Sequence, residues 1–247
     1  MRIFLSIDDT DNLDSPGSGH LLEALAKTLQ IKGLAGRCTG ISRHQLFVHR
    51  DIPYTSHNSS MCITAETDRD SFSDIVDVSG QFLKEGAAPG SDPGLCLAAG
   101  KDLAKEDLIA FGLKAKRQVC TKEEAYALAE KTGVHLSEHG GTGQGVVGAL
   151  AAIGLRLQGS DGRFRGWLKL GRAGESTTRE ALCAHPQVDD VVDEEGLSLP
   201  EGSRIVFAED RIKTVYLNHR QVIPVIRTGN ATDPAWATLT GSAAKRF

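Results

Sequence analysis

Six hydrophobic segments in the first hundred residues change their period in a set order, and that order restricts the fold of this 247-residue chain more than any other feature. "RIFLSI" is a continuous apolar run of strand length. "HLLEALAKTLQIKG" places leucine and alanine at helical spacing and closes at Gly33, a residue that ends helices. "AGRCTGISRHQLFVH" and "SMCITAET" read as strands. "DSFSDIVDVSGQFLKEG" returns to the helical period, with Asp70 or Ser71 as its cap and Gly86 at its exit, and "PGLCLAAG" is a short buried strand. Strand, helix, strand, strand, helix, strand is the order of a ferredoxin-like split βαβ unit. The expected class is therefore α+β (α/β), with residues 1–100 forming that unit.

Residues 101–158 read as a helical segment: two helices divided near Thr121, a good N-cap, then a Gly-rich loop feeding the apolar helix of "GTGQGVVGALAAIGLRLQG". Beyond Gly159 the texture changes, and 159–247 reads as a β-rich part. It starts with a hairpin around Asp161-Gly162 and ends in an irregular tail from Thr228.

Directly after the first strand come Asp8, Asp9 and Asp11. Ionised carboxylates this close repel, and they are tolerated where a cation or a shared proton relieves them. Alternation along a strand sends Asp8 and Asp9 to opposite sides, so Asp9 and Asp11 converge only if the chain stays extended. Mg²⁺, a hard cation held by one or two carboxylates plus water and substrate phosphates, suits such a cluster. The competing reading is an Asx-turn and helix-capping loop. The loop that follows, with Ser15, Gly17, Ser18, Gly19 and His20, allows close backbone approach and leads into a helix N-terminus able to meet an anion. It lacks the Gly-Lys-Ser/Thr ending of a Walker loop. Asp8, Asp9 and Asp11 are thus candidate catalytic and metal-binding residues, and the loop a candidate phosphate site for ATP.

Other motifs point elsewhere. "DTDNL" after an apolar strand also mimics the nucleophile motif of haloacid-dehalogenase phosphatases, with Asp189 and Asp190 as a later acidic pair, but that fold needs a parallel sheet. Gly143, Gly145 and Gly148 spell GxGxxG. With a helix and only "VHLSEHGG" before them they do not make a dinucleotide site; anion binding and close helix packing both stay open. His135 and His139 lie four apart in a segment read as loop, with no third ligand. Trp167 and Trp236 read as core or interface residues.

Composition sets the outer limits. With 40% hydrophobic and 24% charged residues the chain is that of a globular enzyme or binding protein. Five separated cysteines without a CxxC pair argue against a zinc site or disulfide framework and for a reducing compartment. No apolar run approaches ~18 residues, and Asp8 interrupts any signal-peptide core, so a cytoplasmic protein without membrane contact is expected. Net charge −4 opposes autonomous nucleic-acid binding. Arg37, Arg43, His44, His49 and Arg50 make the most basic stretch, either an anion-recruiting edge or a solvated strand face.

"SIDDTDN", "DIPYTSHNSS", "SDPGLCLAAG" and "GTGQGVVGALAAIG", in this order over residues 1–157, resemble the N-terminal part of the archaeal agmatidine synthetase (TiaS) family. That family joins agmatine to a tRNA cytidine, using ATP to activate the base. The resemblance implies ATP and Mg²⁺ at Asp8, Asp9 and Asp11. It adds Pro53, Tyr54 and Asn58 as a second segment of the same cleft and Gly143, Gly145 and Gly148 as the helix entry. Where the family's loop carries a phosphate-accepting threonine, this chain has Gly19 or His20, with Ser18 the nearby hydroxyl. The chain also stops short of the family's OB-fold and zinc ribbon. The expectation is an ATP-dependent ligase or kinase-like enzyme with a nucleotide and a small-molecule acceptor as partners. The resemblance implies tRNA as a partner, but the net charge does not support it; a homo-oligomer is compatible with the chain. A non-catalytic nucleotide-sensing module, or a subunit of a tRNA-modifying complex, is the alternative.

Overall fold

The first strand, β1 (Arg2–Asp8), has residues 3 to 8 all buried, so its sheet is covered on both faces. In the computed structural model, which describes residues 1–52, 58–100, 103–228 and 235–247, the chain divides into two units, Met1–Gln158 and Gly159–Phe247. The first unit runs β1, α1 (Gly17–Ile31), β2 (Ser42–Gln45), β3 (Ser59–Glu66), α2 (Phe72–Gly86), β4 (Gly94–Ala99), α3 (Lys105–Ala115), α4 (Lys122–Thr132), β5 (His135–Glu138) and α5 (Gly145–Gln158). Its strands lie in the order β5-β4-β1-β3-β2, and each pair is antiparallel. The chain is a mixed α/β protein. A parallel sheet of the phosphatase kind is not what β1 belongs to.

Strand alternation decides what β1 faces on each side. Ile3, Leu5 and Ile7 join Leu22, Leu25 and Leu29 of α1 and Ile75 and Leu83 of α2 in one core. Phe4 turns the other way, into a second core with Cys62, Cys96, Leu108, Phe111 and the α5 residues Ala149 to Ile153. Each fully buried Leu or Ile contributes about 1.5–3 kcal/mol. On this second face Ser6 donates its hydroxyl to Ala149 O at 2.5 Å, which ties β1 to α5. α5 is buried almost all round, as its unbroken apolar sequence requires. Asp8 shares the side of Phe4 and Ser6, so it must end beside α5.

Thr121 caps α4 as expected, in a reciprocal capping box with Glu124. Four stretches differ from the sequence reading. Only residues 42–45 of the long strand-like run before β3 form a ladder, because glycines at 36 and 40 break it. The "HLSE" segment is an edge strand, drawn into order by β4. No hairpin forms at Asp161-Gly162; β6 (Arg163–Phe164) pairs instead with a strand that starts at Val215. The tail contains a strand.

The second unit continues with β7 (Ser176–Thr178), α6 (Arg179–Cys183), β8 (Asp190–Val192), β9 (Arg204–Val206), β10 (Val215–Leu217), β11 (Arg220–Arg227) and β12 (Trp236–Thr238). Val191, Ile205, Phe207, Ile212, Ile223 and Val225 form its core. Beside it the buried Asp190 accepts from Arg179, Arg220 and Ser198. Asp189 and Asp190 are thus parts of this unit's scaffold. Among the described residues, no helix is long and apolar enough to cross a membrane.

Candidate functional site

The exit of β1 opens into a cavity of about 310 Å³ lined by residues of the first unit, Asp8, Asp9 and Asp11 among them. Alternation does not carry past Asp8. Asp9 takes a left-handed backbone (φ +49°), which an aspartate tolerates better than most side chains, and the turn brings all three carboxylates to the same cavity. The expected extended course is replaced by a kink with the same result, convergence.

Each carboxylate is held differently. Asp8 is 9% exposed. Its pKa is pushed up to about 8, first by burial and then by the charges of Asp9 and Asp11, against a hydrogen bond from the Asp9 N–H. Its Oδ2 rests against the bare Cα of Gly148; a Cβ there would stand 1.6 Å away. The positive end of α5 acts in the opposite sense to burial, favouring the ionised form. Asp9 is raised to about 6, by burial, then by the charges of Asp92 and Asp11, offset by the Asp92 N–H. Asp11 accepts from the Ser18 hydroxyl at 2.7 Å.

Asp92 has no signal of its own in the sequence, although it lies in the quoted "SDPG". It anchors the glycine-rich loop: Thr142 donates both its N–H and its hydroxyl to the Asp92 carboxylate, each at 2.5 Å, and the Gly145 N–H donates to Asp92 O at 3.1 Å. A Cβ at Gly145 would lie 2.2 Å from that same oxygen, so only glycine lets α5 start here. Gly145 and Gly148 line the cavity, whereas Gly143 is a turn residue against Glu138. The strand β5 does precede this GxGxxG, but it pairs antiparallel with β4 and makes no dinucleotide fold.

The other sequence candidates divide. Asn58 lines the cavity and pins its wall, donating to Phe47 O at 2.6 Å and accepting at its main-chain oxygen from the Leu46 N–H. Pro53 and Tyr54 lie outside the described residues. Ser15 closes a turn with Asn12, Gly17 opens α1 at φ +72°, Gly19 is buried in that helix and His20 is exposed on it. With Ser18, they stand behind Asp11 and do not line the cavity. The far wall, Leu46, Ile52, Ala115, Val119, Cys120 and Val147, is apolar, and Gln118 and Gln144 add polar groups. Those segments join the site only through folding. His135 and His139 both bond Ser137 Oγ at 2.8 Å, on β5 and beyond it.

Among the described residues no three His, Cys, Asp or Glu side chains form a metal cage. Asp8 and Asp9 place two carboxyl groups at the cavity edge, the donor type a hard cation would take.

Neither a protein-family model nor a curated protein matches the chain. Solved structures do. A crystal structure of TiaS, a tRNA agmatidine synthetase, with its tRNA and ATP is 20% identical over 87% of this chain and 51% of its own, at TM-score 0.54. The chain has the fold of TiaS. The complex of TiaS with tRNA, AMPCPP and agmatine superposes at TM-score 0.52, with 20% identity over 87% of this chain and 52% of that one. A tRNA fluorescent labeling enzyme is 27% identical over 62% of this chain and 36% of its own, at TM-score 0.53. The chain spans about half the length of these TiaS structures. The motif order read from the sequence is thus matched by a shared fold.

Proposed function

We propose that this protein is an RNA-modifying enzyme of the ligase or phosphoryl-transfer type, and that ATP with Mg²⁺ works at the Asp8–Asp9 end of the cavity. The observation that carries this reading is the burial of Asp8 against Gly148 of α5 beside the half-buried Asp9, two mutually repelling carboxylates in a cavity large enough for a ligand. Asp8 and Asp9 would hold the metal, and Asp11, tied to Ser18, sets the loop that positions them. Bound Mg²⁺–ATP supplies phosphoryl activation of an acceptor oxygen. The chain's own part is to orient the phosphates and to exclude water with the apolar wall. The TiaS complexes with ATP, agmatine and tRNA support a nucleotide, a small-molecule acceptor and an RNA as partners. In the same reading β1 to β4 with α1 and α2 form the ferredoxin-like unit.

Calorimetric titration with ATP and Mg²⁺ tests this. Metal-dependent binding that disappears in Asp9→Asn is expected, and a wild-type protein without nucleotide affinity ends the proposal. A subunit role in a tRNA-modifying complex is the second reading. ATP turnover by the isolated chain, stimulated by bulk tRNA or a panel of amines, decides against it.

A further inference from the structure

The turn that leads into α5, "HGGTG", is gripped from both sides by carboxylates. Gly141 and Gly143 are left-handed (φ +57° and +76°), and each has a carboxylate where its side chain would stand. A Cβ on Gly141 would lie 1.6 Å from Asp92 Oδ1, and one on Gly143 1.8 Å from Glu138 Oε2. On the inner side Asp92 accepts from Thr142, while the Asp92 N–H faces the Asp9 carboxylate. On the outer side Glu138 is itself held. Lys122 lies 2.8 Å from Glu138 Oε1, and the Tyr126 hydroxyl donates to that oxygen at 2.9 Å. Lys122 also donates to Thr142 O at 2.7 Å, so one ammonium joins the carboxylate to the turn.

Both elements that carry this outer group have other supports. α4 starts on the capping box of Thr121 and Glu124, and β5 is ordered by its ladder with β4. The side chains of Lys122 and Glu138 are 22% and 35% exposed, and an ion pair this close to water adds little to stability. What the group governs is where the turn sits. Thr142 is tied outward to Lys122 and inward to Asp92, and the Gly145 N–H donates to Asp92 O. The two buried-side carboxylates follow from there: Asp9 meets the Asp92 N–H, and Asp8 rests on Gly148 in the first turn of α5. Small displacements of groups that orient a ligand are costly in affinity and rate.

We propose that Lys122 and Glu138, with Tyr126 behind them, are positioning residues for the acidic end of the cavity: they clamp the 141–145 turn from outside and so fix the Asp92–Asp9 contact and the α5 start that seats Asp8. None of the three lines the cavity, so they act only through the turn. The proposal rests on the reading of that cavity as the ATP–Mg²⁺ site.

The test uses the full chain and compares Lys122→Met, the conservative Lys122→Arg, and a control, Lys131→Met, which breaks the exposed Lys131–Asp107 pair elsewhere on α4. Calorimetry reads ATP–Mg²⁺ affinity, hydrogen exchange reads the 141–147 segment, and circular dichroism reads the melting temperature. Lys122→Met should bind ATP–Mg²⁺ about tenfold more weakly. Its 141–147 amides should exchange about fivefold faster. Its melting temperature should stay within about 4 °C of wild type. Lys122→Arg, which keeps the charge and can donate to both oxygens, should recover affinity to within about threefold, and Lys131→Met should match wild type. Lys122→Gln gives the same comparison if Lys122→Met does not fold. Affinity in Lys122→Met equal to that of the control overturns the proposal, as does a loss that arginine leaves unrelieved. A wild type without ATP affinity removes the ATP reading but not the clamp, which the exchange rates then decide. Faster exchange over 141–147 in Lys122→Met, slowed again in Lys122→Arg, upholds the hold on the turn, and unchanged exchange overturns it.

Discussion

Asp8→Asn is expected to make the folded protein more stable and to abolish the proposed ATP–Mg²⁺ binding. The carboxyl has a pKa of about 8 in the fold against an ordinary 3.8, a difference of 8 − 3.8 = 4.2. At about 1.36 kcal/mol per unit this is a ceiling of roughly 6 kcal/mol. The folded state keeps a proton that the unfolded chain releases, so stability declines as pH rises from about 4 and the decline is complete above about 8. At pH 7 about 4 kcal/mol of that ceiling has been lost. Asparagine, of the same shape and neutral, escapes it, less about 1–3 kcal/mol for an amide left short of partners. The expected net gain at pH 7 is therefore about 2 kcal/mol, vanishing near pH 5 and turning into a net loss at pH 4. Both tryptophans lie in the second unit, so hydrogen exchange of β1 peptides is the suitable probe. Corrected for intrinsic rates, the wild-type opening free energy should fall between pH 5 and 8.5 while the variant's stays flatter by about one proton. Added ATP and Mg²⁺ should protect only the wild type. Identical pH slopes in the two proteins would refute the buried-charge argument.

Gly148→Ala pushes a methyl to within 1.6 Å of the present Asp8 Oδ2, so the carboxylate must turn away. Helix propensity favours the change by ~1 kcal/mol, and a folded protein with at least tenfold weaker ATP binding by calorimetry is expected; unchanged affinity would separate Asp8 from the site. Metal binding needs ionised carboxylates, so affinity for ATP–Mg²⁺ should climb as pH passes about 6 and about 8, where Asp9 and Asp8 ionise, and a flat profile from pH 5.5 to 8.5 contradicts the assignment. Asp190→Ala strands Arg179 and Arg220 and should cost the second unit about 3 kcal/mol in urea melts followed by Trp236 fluorescence, with ATP binding untouched. Thr121→Ala removes the α4 cap and should cost about 1 kcal/mol by the same denaturant but with circular dichroism as readout.

Short-range chemistry was legible in the chain itself. Period and caps marked β1, α1, β3, α2, β4 and the α4 start at Thr121, because each of these signals lies within a few residues. The crowding of the aspartates after β1 was legible for the same reason: their repulsion is set by adjacency in sequence. The edge strand β5 and the late strand β12 were not legible, since each is ordered by a partner strand rather than by its own residues. Nor was the way the carboxylates converge. The left-handed turn at Asp9, the seat of Asp8 against Gly148 and the arrival of Asp92 beside Asp9 join residues up to 140 positions apart. The sequence alone determined that acidic groups would leave the first strand together. Only tertiary packing decided that they meet a helix start and an apolar wall, because burial, the force that raises their pKa and opens the cavity, exists nowhere until distant segments close around them.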